Sequence, residues 1–326
     1  MFVHGLFDAL LIFIRFLWIT NCIEYRDFIW KKFDQIFDKG LNRPFVTYII
    51  IIVCTITLIS SFGENNWNYE PFSSNPTFGP SAETLVVMGA KHTWLIVNRD
   101  QWWRLITPMF LHAGLIHYAV NMPVLWFIGH AMEIAHGSLR LIILFVIPAV
   151  GGNILSSIFL PFQISVGASG GMFGLMGAFI SDIIMNWKLL FSDETNTLYD
   201  STVWMNFSIV LVFVLDIGLQ VTLGFTPLID NFAHLGGMIY GFFLGFAVLP
   251  PMRREFFEHE AKVVLQKQFY IRYFGLIMTV ILLVISIVVL AVSSDGVTSP
   301  CARCRYFSCI PFPTWLPAEE RWWNCG

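Results

Sequence analysis

The chain has 326 residues, of which 56% are hydrophobic and only 13% are charged, and its formal net charge is −3. This composition, with a mean hydropathy of +0.67, excludes an ordinary soluble domain and favours a protein that crosses the lipid bilayer several times. The slightly acidic balance also argues against nucleic acid as a partner.

Residues 1–44 are predicted to form a cytosolic or interfacial N-terminal segment. Residues 1–20 are apolar but carry ionisable side chains and no convincing cleavage site. They fit a signal-anchor or a helix packed on the domain as well as an interfacial helix. Residues 24–39 place apolar side chains at helical spacing with charges on the other face, which predicts a helix lying in the membrane interface.

Seven apolar runs predict an all-α, polytopic membrane protein. The predicted spans are Phe45–Ser61, Leu111–Ala131, Leu141–Leu160, Ser169–Met185, Val203–Leu223, Asn231–Leu249 and Tyr273–Val292. Six of them form a core over residues 45–250, which includes the long polar loop 62–108. A linker at 251–272 then leads to a seventh, lipid-facing helix over 273–293 and a tail over 294–326.

Basic residues orient the bundle. They are concentrated in residues 24–44 and 251–272, whereas the loop 62–108 holds few. Because cytosolic segments carry the excess of Lys and Arg, the N-terminus is predicted to be cytosolic and the C-terminus lumenal or extracellular.

Four cysteines crowd into the tail, at Cys301, Cys304, Cys309 and Cys325. Four cysteines with one C-x-x-C spacing can form a zinc site or two disulfides. The predicted topology exposes the tail to an oxidising compartment, which favours disulfides.

A serine between small residues opens the fourth span, in Gly167-Ala168-Ser169-Gly170-Gly171. Unpaired N–H groups at a helix start favour a developing negative charge, and the glycines allow a substrate backbone to approach closely. Serine needs a base, and His234, near the start of the sixth span, is the candidate. Both helices carry small residues at four-residue spacing, which permits close contact in lipid. Those residues are Gly170, Gly174 and Ala178 in the fourth span, and Gly237, Gly241 and Gly245 in the sixth.

The second span adds His112, His117 and Asn121. His117 and Asn121 are four residues apart and share a helix face, so they could donate hydrogen bonds to an oxyanion. Taken alone, this spacing could also bind a metal or bridge helices. A lone Gly-x-Ser-x-Gly also marks soluble α/β-hydrolases, but that fold needs strands, and the sequence predicts none.

The motifs together resemble those of the rhomboid intramembrane serine proteases. Those that carry the resemblance are Trp103-Arg104, His112 with His117-x-x-x-Asn121, Glu133-x-x-x-Gly137, Gly167-Ala168-Ser169-Gly170 and Ala233-His234-x-x-Gly237. The resemblance covers about residues 45–250, and the additional helix is similar to the six-plus-one layout of eukaryotic secretase-type members. Phe173 departs from the family pattern, because many members carry tyrosine there; it could still stack on His234.

The resemblance implies a dyad with Ser169 as nucleophile and His234 as general base, and no metal or cofactor. His117, Asn121 and the Ser169 backbone N–H would bind the oxyanion. The supporting residues would be His112, Trp103, Arg104, Gly167, Gly170, Phe173 and Gly237. Implied substrates are single-pass transmembrane proteins with a helix-destabilising segment and a small residue before the scissile bond, with the fifth span as the moving gate.

Two other functions fit parts of the sequence. One is a proteolytically inactive rhomboid relative that binds membrane clients, against which the retention of Ser169 and His234 argues. The other is a transporter or channel, which the shallow site, the lack of an internal repeat and the few intramembrane charges disfavour. Asp216, in the fifth span, fits either a buried, hydrogen-bonded group or one that faces the substrate entry route, and the first interpretation is favoured.

Overall fold

The fold is a bundle of helices. The computed structural model describes residues 44–187 apart from Ser73, 210–250 with gaps between 212 and 228, 261–292, and 299–317 with gaps. The helices are α1 (Phe45–Glu64), α2 (Ala82–Met88), α3 (Thr93–Asn98), α4 (Leu115–His136), α5 (Ser138–Phe159), α6 (Ser169–Met185), α7 (Asn231–Val248), α8 (Ala261–Val292) and α9 (Arg305–Ser308). Short 3-10 helices at Trp102–Leu105 and Thr107–Phe110 precede α4. The described residues contain no strand beyond one isolated bridge, which confirms the predicted all-α class for them.

Within the described ranges, four helices are long and apolar enough to cross a membrane: α1, α5, α7 and the Phe269–Val292 part of α8. The apolar helix α6 is shorter, at 17 residues. These five agree with predicted spans to within a few residues. The predicted fifth span, 203–223, lies largely outside the described residues, although the described positions between 210 and 222 are helical. The six-plus-one layout therefore stays a prediction.

The predicted start of the second span was wrong by four residues. Its helix, α4, begins at Leu115 rather than Leu111, so His112 lies in the preceding loop. The N–H groups of Leu115 and Ile116 donate to carbonyls of the long loop at 3.2 and 3.1 Å. A side chain on Gly114 would overlap the same loop. Contacts with a segment distant in sequence thus set this helix start, and no local pattern reveals them.

Small residues allow α6 and α7 to touch through their backbones. A side chain on Gly237 would overlap the carbonyl oxygen of Gly170, and one on Gly241 would overlap that of Gly174. The facing pairs, in order along the two helices, are Gly170 with Gly237, Gly174 with Gly241 and Ala178 with Gly245. This order confirms the predicted contact and shows that the helices run parallel, with their starts at the same end.

We expect Gly241→Ala to destabilise the protein, because the added methyl group has no space against Gly174. Overpacking of this kind costs about 1–3 kcal/mol. Gly218→Ala is the matched control, since none of the described residues places an atom within 4 Å of a side chain at that position. Thermal unfolding in detergent should show a lower Tm for Gly241→Ala alone. Equal Tm values for the two variants would contradict the tight contact.

The long loop before α4 is folded around a buried arginine. The Arg104 guanidinium donates to the Val86 and Ala90 carbonyls at 2.7 and 3.0 Å, and its Nε donates to the Gln101 side chain at 2.6 Å. Its neighbour Trp103 remains 53% exposed, as an aromatic anchor at the membrane interface would be. The Trp-Arg motif therefore holds the loop together through its arginine.

At the other end of the bundle, Glu133 joins α4 to α1. Its carboxylate accepts the backbone N–H groups of Val46 and Thr47, both at 2.8 Å, the Thr47 hydroxyl at 2.7 Å and the Ser138 hydroxyl at 2.6 Å. A carboxylate at a helix N-terminus satisfies unpaired donors and complements the helix dipole. The glutamate of the family motif is thus a structural cap for α1.

The last membrane helix packs on α7 along one side. Tyr240 of α7 donates to the Ser286 hydroxyl of α8 at 2.9 Å, while many large apolar side chains of α8 are exposed, as a lipid-facing helix requires. The helix begins at Ala261, inside the stretch predicted as a linker.

The cysteine-rich tail docks at the start of α7. The Ser308 hydroxyl accepts the Asn231 backbone N–H at 3.1 Å, and the Phe307 carbonyl accepts the Asn231 side chain at 2.7 Å. Cys301 and Cys304 form a disulfide, and Cys309 is also disulfide-bonded, as predicted. The tail therefore lies at the same end of the bundle as the start of α7. Several predictions fall outside the described residues: the segment 1–43, residues 251–260, Asp216 and Cys325.

Candidate active site

Ser169 is the first residue of α6 and is half-buried. The chain reaches it through Gly167, whose φ of 139° favours glycine and whose N–H donates to the Pro108 carbonyl at 2.9 Å. The N–H groups of the first helical turn have no partners within the helix. The nucleophile predicted from the sequence therefore lies where backbone donors are available for an oxyanion.

His117 and Ser169 border the same small space. A methyl group placed on Gly167 would lie 2.9 Å from His117 Cε1, 3.1 Å from His117 Nε2 and 3.5 Å from Ser169 Oγ. The backbone N–H of Ala113 donates to His117 Nδ1 at 3.3 Å. We assign the proton of the neutral ring to Nε2 on this ground, since Nδ1 is the acceptor. His117 thus presents an N–H donor next to the serine hydroxyl, in a space that only glycine at position 167 leaves open.

Asn121 lies one helical turn after His117. Its Nδ2 donates to the His117 carbonyl at 2.7 Å, and an amide nitrogen carries a second hydrogen that remains for another acceptor. Its Oδ1 is buried and has no hydrogen-bond partner among the described residues. A buried polar atom without a partner is unusual in a folded protein, and it is consistent with a site that a substrate completes.

His234 lies in the first turn of α7 and is buried. Its ring stacks on Phe173 of α6, with centroids 4.2 Å apart and planes inclined by 13°. The predicted stacking of Phe173 on His234 is therefore confirmed, although Phe173 has no hydroxyl. The imidazole Nδ1 is buried without a hydrogen-bond partner in the described part of the chain. Because Gly237 contacts Gly170, the turn that holds His234 lies beside the turn that opens with Ser169.

His112 lies in the loop before α4, and its ring still contacts His117 of the candidate site. Its ring packs edge-to-face on His117 at 5.3 Å and on Tyr118 at 5.4 Å. It is almost fully buried, so it supports the position of His117 by packing. Among the described residues, no group of three or more His, Cys, Asp or Glu side chains could hold a metal ion.

Sequence reasoning missed the roles of three residues in a buried network behind the site: Lys91, Ser156 and Asp230. Asp230 caps α7, and an aspartate directly before an apolar helical run is a signal that could have found this role. Lys91 is completely buried although it comes from a polar loop. No sequence pattern indicates that, because burial of a loop lysine depends on the helices around it.

Comparison with known proteins points to one family. The model of the rhomboid domain matches residues 99–251. RHOMBOID-like protein 2 of Arabidopsis thaliana is 38% identical over 254 residues, which cover 76% of this chain and 76% of that protein. Inactive RHOMBOID-like protein 8 of the same plant is 30% identical over 275 residues, covering 80% of this chain and 73% of that protein.

A bacterial protein is also similar. Rhomboid protease GluP of Bacillus subtilis is 36% identical over 168 residues, which cover 52% of this chain and 30% of GluP. The rhomboid-domain match includes all the motif residues from Trp103 to Gly237. The chain therefore belongs to the rhomboid family and is an integral, multi-pass membrane protein.

Proposed function

We propose that this protein is an intramembrane serine endopeptidase that cleaves single-pass membrane proteins in or near their transmembrane segments. The observation that supports this proposal most directly is that Ser169 Oγ and His117 Nε2 border one space beside Gly167. The His234 ring, stacked on Phe173 in the adjoining turn, supplies the base. The similarity to GluP, a rhomboid protease, supports this chemistry.

In the proposed reaction, Ser169 Oγ bonds to the carbon of a substrate peptide carbonyl while its proton passes to His234. The oxyanion accepts hydrogen bonds from His117 Nε2, Asn121 and the Ser169 backbone N–H. The C–N bond then breaks, and His234 gives the proton to the leaving amine. Water, deprotonated by His234, hydrolyses the resulting ester and restores Ser169.

The proposed orientation has the N-terminus in the cytosol and the tail outside. The docking of the tail on the start of α7 supports placing Ser169 and the tail on one side. Disulfides in the tail suit an oxidising compartment, which supports the lumen or exterior for that side. Cleavage would then occur near the outer ends of substrate helices.

The function is tested by reconstituting wild type and Ser169→Ala into liposomes with a model single-pass substrate. We expect wild type to release defined fragments, identified by mass spectrometry, and Ser169→Ala to release none. Equal cleavage by both would exclude Ser169 as nucleophile. Client binding without cleavage by wild type would instead favour an inactive relative; one similar protein, RHOMBOID-like protein 8, is named as inactive.

A further inference from the structure

A lysine and an aspartate are joined inside the protein behind the candidate active site. Lys91 Nζ donates to Ser156 Oγ at 2.8 Å and to the Leu160 carbonyl at 2.9 Å. The Ser156 hydroxyl in turn donates to Asp230 Oδ2. Lys91 and Ser156 are completely buried, and Asp230 is 7% exposed. One hydroxyl of α5 thus connects a cation of the long loop to an anion at the start of α7.

The aspartate end of this network holds the turn that carries the base. Asp230 Oδ1 accepts the N–H groups of Phe232 and Ala233 at 3.1 and 3.0 Å, which caps α7. The Asp230 carbonyl accepts the His234 N–H at 3.2 Å, in the first hydrogen bond of the helix. Both carboxylate oxygens are therefore in use, one toward Ser156 and one toward the His234 turn.

The lysine end holds the segment that leads to the nucleophile. The Lys91 backbone N–H donates to the Ser165 carbonyl at 3.0 Å, and the Ser165 N–H donates to the Lys91 carbonyl at 3.4 Å. Ser165 lies two residues before Gly167 and four before Ser169. The Lys91 backbone is thus hydrogen-bonded to the segment that precedes Ser169. The Lys91 side chain is connected, through the Ser156 hydroxyl, to Asp230 at the start of the helix that carries His234.

The two charges depend on each other. Burial lowers the pKa of Lys91 to about 8, and the Asp230 carboxylate opposes that lowering. The Asp230 carboxylate therefore favours the protonated form of Lys91. Removing one partner of a buried charge pair leaves the other uncompensated, whereas replacing both by neutral groups is far better tolerated.

We propose that Lys91, Ser156 and Asp230 are positioning residues that set the spacing between Ser169 and His234. They act on the reacting groups indirectly, through the segment before Ser169 and the capped turn of His234. This inference rests on the proposed protease function. Loss of the network should lower kcat and leave KM nearly unchanged, because the geometry of the dyad changes and substrate contacts do not.

The test uses full-length protein in liposomes, with active sites titrated by a fluorophosphonate so that kcat refers to folded, reactive enzyme. Lys91→Met and Asp230→Asn each remove one charge, and asparagine can still cap the helix. We expect each to lower kcat about 10- to 100-fold, as misplaced catalytic groups do. The double variant Lys91→Met/Asp230→Asn should recover part of that loss, since no unpaired charge remains.

Ser156→Ala tests the network with both charges kept, and it decides the outcome if the charge variants do not fold. Its matched control is Ser157→Ala, because Ser157 is also buried on α5 but its hydroxyl donates to the Asn153 carbonyl of the same helix. The proposal expects lower kcat for Ser156→Ala alone. An unchanged kcat per titrated site in Ser156→Ala would overturn the positioning proposal. So would a Lys91→Met/Asp230→Asn variant whose fold-loss in kcat equals the product of the losses in the two single variants. Ser169→Ala is measured beside these variants. If it loses cleavage while Ser156→Ala keeps the wild-type kcat, the positioning proposal fails and the protease proposal stands. If it keeps cleavage, the protease proposal fails.

Discussion

His234→Ala should lower kcat for cleavage of a transmembrane substrate by at least about 10³-fold, since removal of the catalytic histidine from a serine protease can cost about 10⁶-fold in kcat. Serine is a weak nucleophile without a base, and His234 is the buried imidazole in the turn beside Ser169. Its ring is held by stacking on Phe173. The same change should slow labelling of Ser169 by a fluorophosphonate, because that reaction needs the same proton transfer.

His130→Ala provides the control for this change. His130 also lies on a helix of the bundle, but it comes 13 residues after His117 along α4, about 20 Å at 1.5 Å per residue. Cleavage and labelling should stay near wild type in this variant. Wild-type labelling of His234→Ala would show that another group activates Ser169 and would remove His234 from the mechanism.

His117→Ala and Asn121→Ala should each lower kcat by about 10²–10³-fold with little change in KM, as expected when an oxyanion donor is lost. His117 Nε2 faces the space beside Ser169, and Asn121 lies one turn away with a spare amide hydrogen. The fold-loss in kcat of the double variant should be smaller than the product of the two single fold-losses, because both donors bind the same oxygen.

Val120→Ala is the matched control for the oxyanion variants. Val120 lies on the same turn of α4, between the two donors, but its side chain is 58% exposed. Its kcat should remain within about twofold of wild type, as is usual for exposed positions away from special features. A rise in KM with unchanged kcat in His117→Ala or Asn121→Ala would assign these residues to substrate binding instead.

The sequence pattern predicted most of the described helices and singled out candidate site residues, for physical reasons. A membrane helix needs about 20 apolar residues, so α1, α5, α7 and the end of α8 are visible as apolar runs. Polar groups are costly inside such runs, so Ser169 and His234 stand out there. The four-residue spacing of small residues predicted the contact of α6 with α7, which the facing glycines confirm.

Other features depend on contacts between distant segments. The start of α4 is set by loop carbonyls, so the predicted start at Leu111 was wrong. The capping of α1 by Glu133 needs two helices to meet at one end. The tautomer of His117 follows from a hydrogen bond with Ala113 that forms only after the chain turns at Gly114.

The sequence by itself determined which residues are candidates for the chemistry, because hydropathy and small-residue spacing are local properties of the chain. Only the tertiary structure decided how those residues are held, since Lys91, Ser156 and Asp230 come from a loop and two helices far apart in sequence. A buried charge is tolerated only where the fold supplies its partner, and that partner cannot be identified until the helices are packed.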